Sequence, residues 1–182
     1  MQDNEDERLL DRFAEEVTRR DAFREIVHKY QEAVYWHVRR IVIDHEDAND
    51  VVQNIFIKVW KGLPDFRRES KLFSWIYRIA TNESLSLLRQ RRRRTFLSFE
   101  DVEETIASGL EADPLFSGDK IQLKLQQAVL KLPPQQRVIF TMKYFDGLKY
   151  EAIAENLGIS VGGAKASYHH AVKKIEKSVL GD

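Results

Sequence analysis

Phe66, Arg67, Lys71, Trp75, Arg78 and Asn82 set two aromatic rings among three cations and an amide in one short stretch, FRRESKLFSWIYRIATN. On a helical wheel Lys71, Trp75, Arg78, Asn82 and Arg89 form a stripe beside the apolar side of Leu72, Phe73, Ile76, Ile79 and Ala80. A ring among cations is how proteins hold unstacked nucleic-acid bases, by stacking on the base and contacting the phosphates. Trp75 alone also fits a core-edge aromatic; Phe66, Arg67 and Arg68 just upstream weigh toward the nucleic-acid reading, and the run RQRRRR follows at 89–94.

A second constellation is DGLKYEAIAENLGISVGGAKASYHHAVKKIEK, 146–177. Ile153, Ala154 and Leu157 make a short amphipathic helix, Gly158 permits a tight turn, and Ser160 can cap the next helix. Val161, Ala164, Tyr168, Ala171 and Ile175 recur at 3,4,3,4 spacing and define a core face. The opposite face presents Gly162, Gly163, Ala166, His170, Lys173 and Lys177, flanked by Lys165 and His169. Small residues at the start of such a helix admit it to a major groove, and lysines further along suit phosphates. An ordinary helical hairpin with solvated lysines is the competing reading.

The third is EDANDVVQNIFIKVW, 46–60, whose apolar side is Val51, Val52, Ile55, Phe56, Val59 and Trp60. Asp47, Asp50, Gln53, Asn54 and Ile57 share the other side. An isoleucine among acids and amides suits a protein partner, or is a stray apolar residue on a solvated face. Neither His45 with Asp44, Glu46 and Asp47 nor the pair His169 and His170 converges on a metal, because adjacent helical residues diverge. No phosphate loop, activated nucleophile or acid/base pair is readable, so no catalytic residue, metal or cofactor is expected.

These residues need helices to position them. Apolar spacing is helical almost throughout, and the expected fold is all-α, two small helical domains joined by a flexible acidic linker, with a C-terminal helix-turn-helix. Thr18–Asp21 has the shape of a capping box, predicting a helix to about Ile43; a second spans about Glu46–Lys61 and stops at Gly62 before Pro64; Ser70 could cap a third reaching Arg94. Residues 95–117 hold six carboxylates and no Lys or Arg, and read as the linker between domains at 1–94 and 118–182. Helices resume at about Asp119–Lys131, Pro134–Tyr144, Tyr150–Leu157 and Ser160–Val179.

Composition narrows the classes further. The 182 residues are 43% hydrophobic and 32% charged, enough for one ordinary domain or two small ones. The absence of cysteine excludes disulfides, thiolate metal sites and cysteine nucleophiles. The acidic start, MQDNEDERLL, lacks the apolar core of a signal peptide, and a cytoplasmic protein without membrane insertion is expected. The net charge of zero conceals two mildly basic blocks flanking the acidic strip, a distribution that suits nucleic acid.

Three motifs in this order resemble a known family, the extracytoplasmic-function (ECF) sigma factors of the sigma-70 class. DANDVVQNIFIKVW resembles the characteristic helix of region 2, FRRESKLFSWIYRIATNESLSLLRQRRRR its promoter-melting segment, and LPPQQRVIFTMKYFDGLKYEAIAENLGISVGGAKASYHHAVKKIEK region 4. The resemblance implies a non-catalytic specificity subunit that binds core RNA polymerase and directs promoter-specific initiation. It implies that Asp47, Asp50, Gln53, Asn54 and Ile57 meet the beta-prime clamp. Phe66, Arg67, Lys71, Trp75, Arg78 and Asn82 would bind the minus-10 strand. Lys149, Gly162, Gly163, Lys165, Ala166, Ser167, His169, His170 and Lys173 would face the minus-35 groove, beside the beta flap. An anti-sigma factor is implied as an inhibitory partner. Asn49 and Asn54 stand where the family often has Glu, and Gly163, Ala166, Ser167, His170 and Val172 where Thr, Ser and Arg are common. Fewer cations should weaken phosphate grip and alter the bases read. The residues alone also fit a free-standing helix-turn-helix regulator of duplex DNA, or an RNA-binding protein using the arginine run.

Overall fold

The computed structural model describes residues 2–94 and 120–180, and the linker expected at 95–117 lies outside the described residues. The helices are α1 (Gln2–Ala14), α2 (Arg19–Val42), α3 (His45–Gly62), α4 (Leu72–Arg94), α5 (Lys120–Leu130), α6 (Pro134–Phe140), α7 (Tyr150–Leu157) and α8 (Val161–Leu180). A 3-10 turn, Leu63–Asp65, follows α3, and a π-helical turn, Thr141–Phe145, extends α6.

Periodicity explains the first unit. Ala22, Ile26, Tyr30, Val34 and Val38 repeat every four residues along α2 and are all buried, facing Ala48, Val51, Ile55 and Val59 of α3 and Leu72, Ile76 and Ala80 of α4. Each fully buried aliphatic side chain there contributes about 1.5–3 kcal/mol. Asp44, rather than a residue within the helix, caps α3 by accepting from the Asp47 N–H at 2.9 Å. Trp75 N–H donates to the Lys71 carbonyl at 3.1 Å, which starts α4 one residue later than a Ser70 cap would.

The acidic N-terminal segment, read above only as lacking a signal sequence, is helix α1. Its Leu9, Leu10 and Phe13 complete the core. Asp6 accepts from Tyr30 Oη at 2.6 Å and Lys29 Nζ at 2.8 Å, fastening α1 to α2. The capping box expected at Thr18 does not form. Thr18 Oγ1 instead donates to the Arg12 carbonyl at 2.6 Å, and Arg19 Nε donates to the Phe13 carbonyl at 3.0 Å, so both satisfy the open end of α1.

The second unit packs Ala128, Val129, Leu132 and Phe140 against Ala171 and Ile175 of α8. The two units share a seam: Ile41 of α2, with Leu85 and Leu88 of α4, packs against Val138, Ile139, Met142, Ile153 and Ala164. Buried polar groups cross the seam and are paired, as burial demands. Arg137 donates to the Ile41 carbonyl at 3.1 Å and to the Leu130 carbonyl. His37, fully buried, sets Nδ1 2.7 Å from Asp146 Oδ2 and Nε2 3.0 Å from Thr81 Oγ1, and Arg40 approaches Asp146 at 3.4 Å. Thr81 donates its hydroxyl proton to the Tyr77 carbonyl at 2.9 Å, so its oxygen accepts from His37 Nε2. The Asp146 carboxylate thus joins His37 and Arg40 across the seam.

Candidate nucleic-acid interface

The stripe on α4 comes together, with one correction. Trp75 does not stand free. Its ring lies 4.9 Å from that of Phe66, tilted 36°, and half-buried against the α1–α4 core. Gly62 makes room for it, since a Cβ there would stand 3.0 Å from Trp75 Cζ2. Phe66 and Trp75 therefore form one two-ring wall at the core edge, which combines the two readings the sequence left open. Arg67, Lys71 and Asn82 are exposed around it, and Arg78 is half-buried. A pocket of about 350 Å³ opens between Asp65, Phe66, Arg67, Trp75 and Arg78, within the size range of ligand sites. Glu155 of α7 reaches into this pocket across the seam, 3.8 Å from Arg78 Nη2. A carboxylate thus occupies ground that would suit a phosphate.

The loop carrying Phe66 is shaped by a residue whose role sequence reasoning missed. Arg68 is left-handed, φ 57°, which costs a residue with a Cβ about 1–2 kcal/mol. Its Nη1 donates to Glu7 Oε2 at 2.8 Å and Asp11 Oδ1 at 2.7 Å, both on α1. Hydrogen bonding to Asp11, and then to Glu7, raises the guanidinium above its already high ordinary pKa against the opposing effect of burial. Two exposed ion pairs return about 0.2–1 kcal/mol each, comparable with the backbone cost. No periodicity signals this contact, because its partners lie 57 and 61 residues apart.

The helix-turn-helix forms as expected. Gly158 takes the left-handed turn at φ 64°, and Ser160 Oγ accepts from the Gly163 N–H at 3.0 Å. Ala164, Ala171 and Ile175 of α8 are buried; Gly162, Lys165, Ala166, His169, His170 and Lys173 are exposed, with Gly163 and Ser167 half-buried. Gly163 is small for a local reason as well, since a Cβ would come 3.1 Å from the capping Ser160 Oγ. Lys149 is exposed at the start of α7, and its side chain makes no cap.

On α3, Asp50, Gln53, Asn54 and Ile57 are exposed, Ile57 to 51%. Asp47 differs: it is half-buried and ion-paired with Arg91 of α4, so it is already engaged within the chain. His45 is used locally, against Tyr35 Oη at 2.8 Å and Asn49 Nδ2 at 3.1 Å. Among the described residues no group of His, Asp and Glu is arranged to hold a metal ion, and no helix is long and apolar enough to cross a membrane.

Comparison with known proteins adds to this geometry. The family model described as Sigma-70 region 2 matches residues 26–94, and that described as Sigma-70, region 4 matches 122–175. An RNA polymerase sigma-H factor of Pseudomonas aeruginosa is 33% identical over 96% of this chain and 94% of its own length. The chain belongs to the sigma-70 family. Within it the relatives are ECF sigma factors: SigW of Bacillus subtilis is 30% identical over 87% of this chain and 89% of its own, and the sigma-E factor of Escherichia coli K12 33% over 87% and 86%. Two solved structures share the fold of this sigma factor. The sigma factor RpoE from Bartonella quintana, crystallised with the anti-sigma factor NepR, has a TM-score of 0.69 at 22% identity, over 88% of this chain and 98% of its own. CnrH, in complex with the cytosolic domain of CnrY, has a TM-score of 0.71 at 21% identity, over 98% and 99%. The all-α reading and the ECF resemblance are both borne out, and the chain is an RNA polymerase-binding, promoter-specific initiation factor. Helix α1 lies outside the region 2 match.

Proposed function

We propose that this sigma factor divides promoter recognition between its two helical units and does so without catalysis. In this reading α8 enters the minus-35 major groove with its exposed face, while the Phe66–Trp75 wall, Arg67, Lys71, Arg78 and Asn82 hold the minus-10 strand as it opens. The exposed Asp50, Gln53, Asn54 and Ile57 of α3 dock on the polymerase clamp; Asp47 would act there only by leaving Arg91. The observation that carries the proposal is the pairing of a two-ring wall with flanking cations at the mouth of one pocket.

The energetics are of the right order. Extracting a base from the stack costs a few kcal/mol, and stacking on an aromatic side chain returns about 1–3 kcal/mol per base. Linking two modest DNA contacts in one chain raises their effective concentration and makes binding depend on the spacing of the elements. An anti-sigma partner, as in the solved relatives, would act by occupying these faces, and a cytoplasmic location follows from the polymerase it serves. Run-off transcription with core RNA polymerase and a genomic promoter pool tests the assignment. Wild type starts discrete transcripts; Trp75→Ala and Arg78→Ala bind core enzyme with unchanged affinity but lower open-complex yield by about tenfold each. Unaltered opening in both variants would withdraw the pocket from the mechanism.

A further inference from the structure

We infer that Arg68 is a specificity-determining positioning residue, and that α1 is the brace through which it acts; the inference rests on the reading of the Phe66 pocket as the minus-10 site. Between the 3-10 turn and α4 only residues 66–71 connect the two core helices. The middle of this loop is forced left-handed at a residue that disfavours it, and one guanidinium nitrogen is held by two carboxylates four residues apart on α1. Glu7 and Asp11 repel each other at that spacing, and Arg68 between them relieves the repulsion. Each side of the contact therefore holds the other in place.

Helix α1 can serve as a fixed support because its own position does not depend on the loop. Leu9, Leu10 and Phe13 are buried, and Asp6 is held by Tyr30 and Lys29. The helix also walls the space around the loop. A pocket of about 550 Å³ is lined by Asp6, Glu7 and Leu10 together with Phe66, Arg68 and Lys71, and one of about 240 Å³ by Leu10 and Phe13 with Phe66. Phe66, which closes over Trp75, precedes Arg68 by two residues. A change at Arg68 moves the ring that would cover a captured base. The carboxylates of α1 on this side repel phosphate, and Arg67 and Arg78 attract it, so the strand is confined to the Trp75 side.

The consequence is a prediction about selectivity rather than affinity alone. Holoenzyme is assembled from core RNA polymerase and full-length sigma factor. It is presented with non-template-strand oligonucleotides randomised one position at a time across the minus-10 element, and bound strands are sequenced. Wild type enriches one base at a pocket position by about tenfold or more, the usual cost of one mismatch. The Glu7→Gln/Asp11→Asn double variant and Arg68→Ala each flatten that enrichment to within about threefold, with core affinity and Tm near wild type; Arg68→Lys keeps most of it. Full enrichment in the double variant or in Arg68→Ala overturns the brace, as does flattening in one without the other. Should one variant fold poorly, the other attacks the same contact from the opposite side. Phe66→Ala separates the two readings: if it leaves a clear wild-type enrichment untouched, the pocket assignment fails instead.

Discussion

Gly62 and Trp75 show how one position can decide a site. Gly62 ends α3 at φ −93°, where alanine is conformationally acceptable and would usually gain from a stiffer unfolded chain. Here its Cβ would press on the Trp75 ring at 3.0 Å. Gly62→Ala is expected to destabilise by about 1–3 kcal/mol, and Trp75→Phe to recover part of that loss, giving a coupling measurable in a urea double-mutant cycle. Tyr77 carries a second residue-scale expectation. Burial, reinforced by Asp146, holds its phenol well above the ordinary tyrosine range, against a smaller opposite effect of Arg40. A raised folded-state pKa means a contribution fully present below the unfolded value of about 10 and lost as pH rises through the folded one. The unfolding free energy from urea titrations should fall above about pH 10 by up to about 1.4 kcal/mol per pH unit, and Tyr77→Phe should flatten that descent. The wheel placed Trp75 beside the cations but could not show that Phe66, nine residues earlier, folds over its face. That contact belongs to the loop, where no period applies.

Helices α2, α3, α4 and α8 were legible because each spreads an apolar stripe over many turns, so an error at one residue moves a boundary and not the element. Helix α1 was not, since Leu9, Leu10 and Phe13 cover little more than one turn within an acidic segment. Thr18 likewise has the residue type of a cap but spends its hydroxyl on the preceding helix, a choice set by where α1 ends. The turn before α8 was fully readable, because Gly158 and Ser160 act through local geometry. For α8 itself the expectation concerns charge. Lys173 is exposed, three residues beyond His170 on the same face. Lys173→Ala should weaken minus-35 duplex binding by holoenzyme almost equally for all sequences and reduce the salt slope by about one, as loss of a phosphate contact does. Salt titration of filter binding on two promoters decides it: a sequence-dependent loss at constant slope would instead make Lys173 a base reader.

At the scale of the whole molecule, the sequence left the arrangement of the two units open, and hydrophobic spacing could not settle it, because Ile41, Leu85 and Leu88 read as ordinary core positions whichever unit they serve. They serve both. Elements named minus-10 and minus-35 lie some 25 base pairs apart, roughly 85 Å of duplex at about 3.4 Å per step. A folded globule of this length has a radius of gyration of about 16 Å. The packed form therefore cannot reach both, and Glu155 stands in the pocket proposed for the minus-10 strand while the seam is closed. On the proposed reading promoter binding requires the seam to part, and where core enzyme takes the open form the seam's free energy is subtracted from that affinity. Asp146 is the point to loosen it, because its 4%-exposed carboxylate joins His37 and Arg40 across the seam without entering either proposed DNA face. Asp146→Ala leaves His37 and Arg40 without that hydrogen-bond partner, worth about 1–3 kcal/mol, and should raise core affinity by about tenfold while small-angle scattering shows a larger radius of gyration. If the radius increases and core affinity does not, opening is not what limits assembly, and the seam is a storage form rather than a gate.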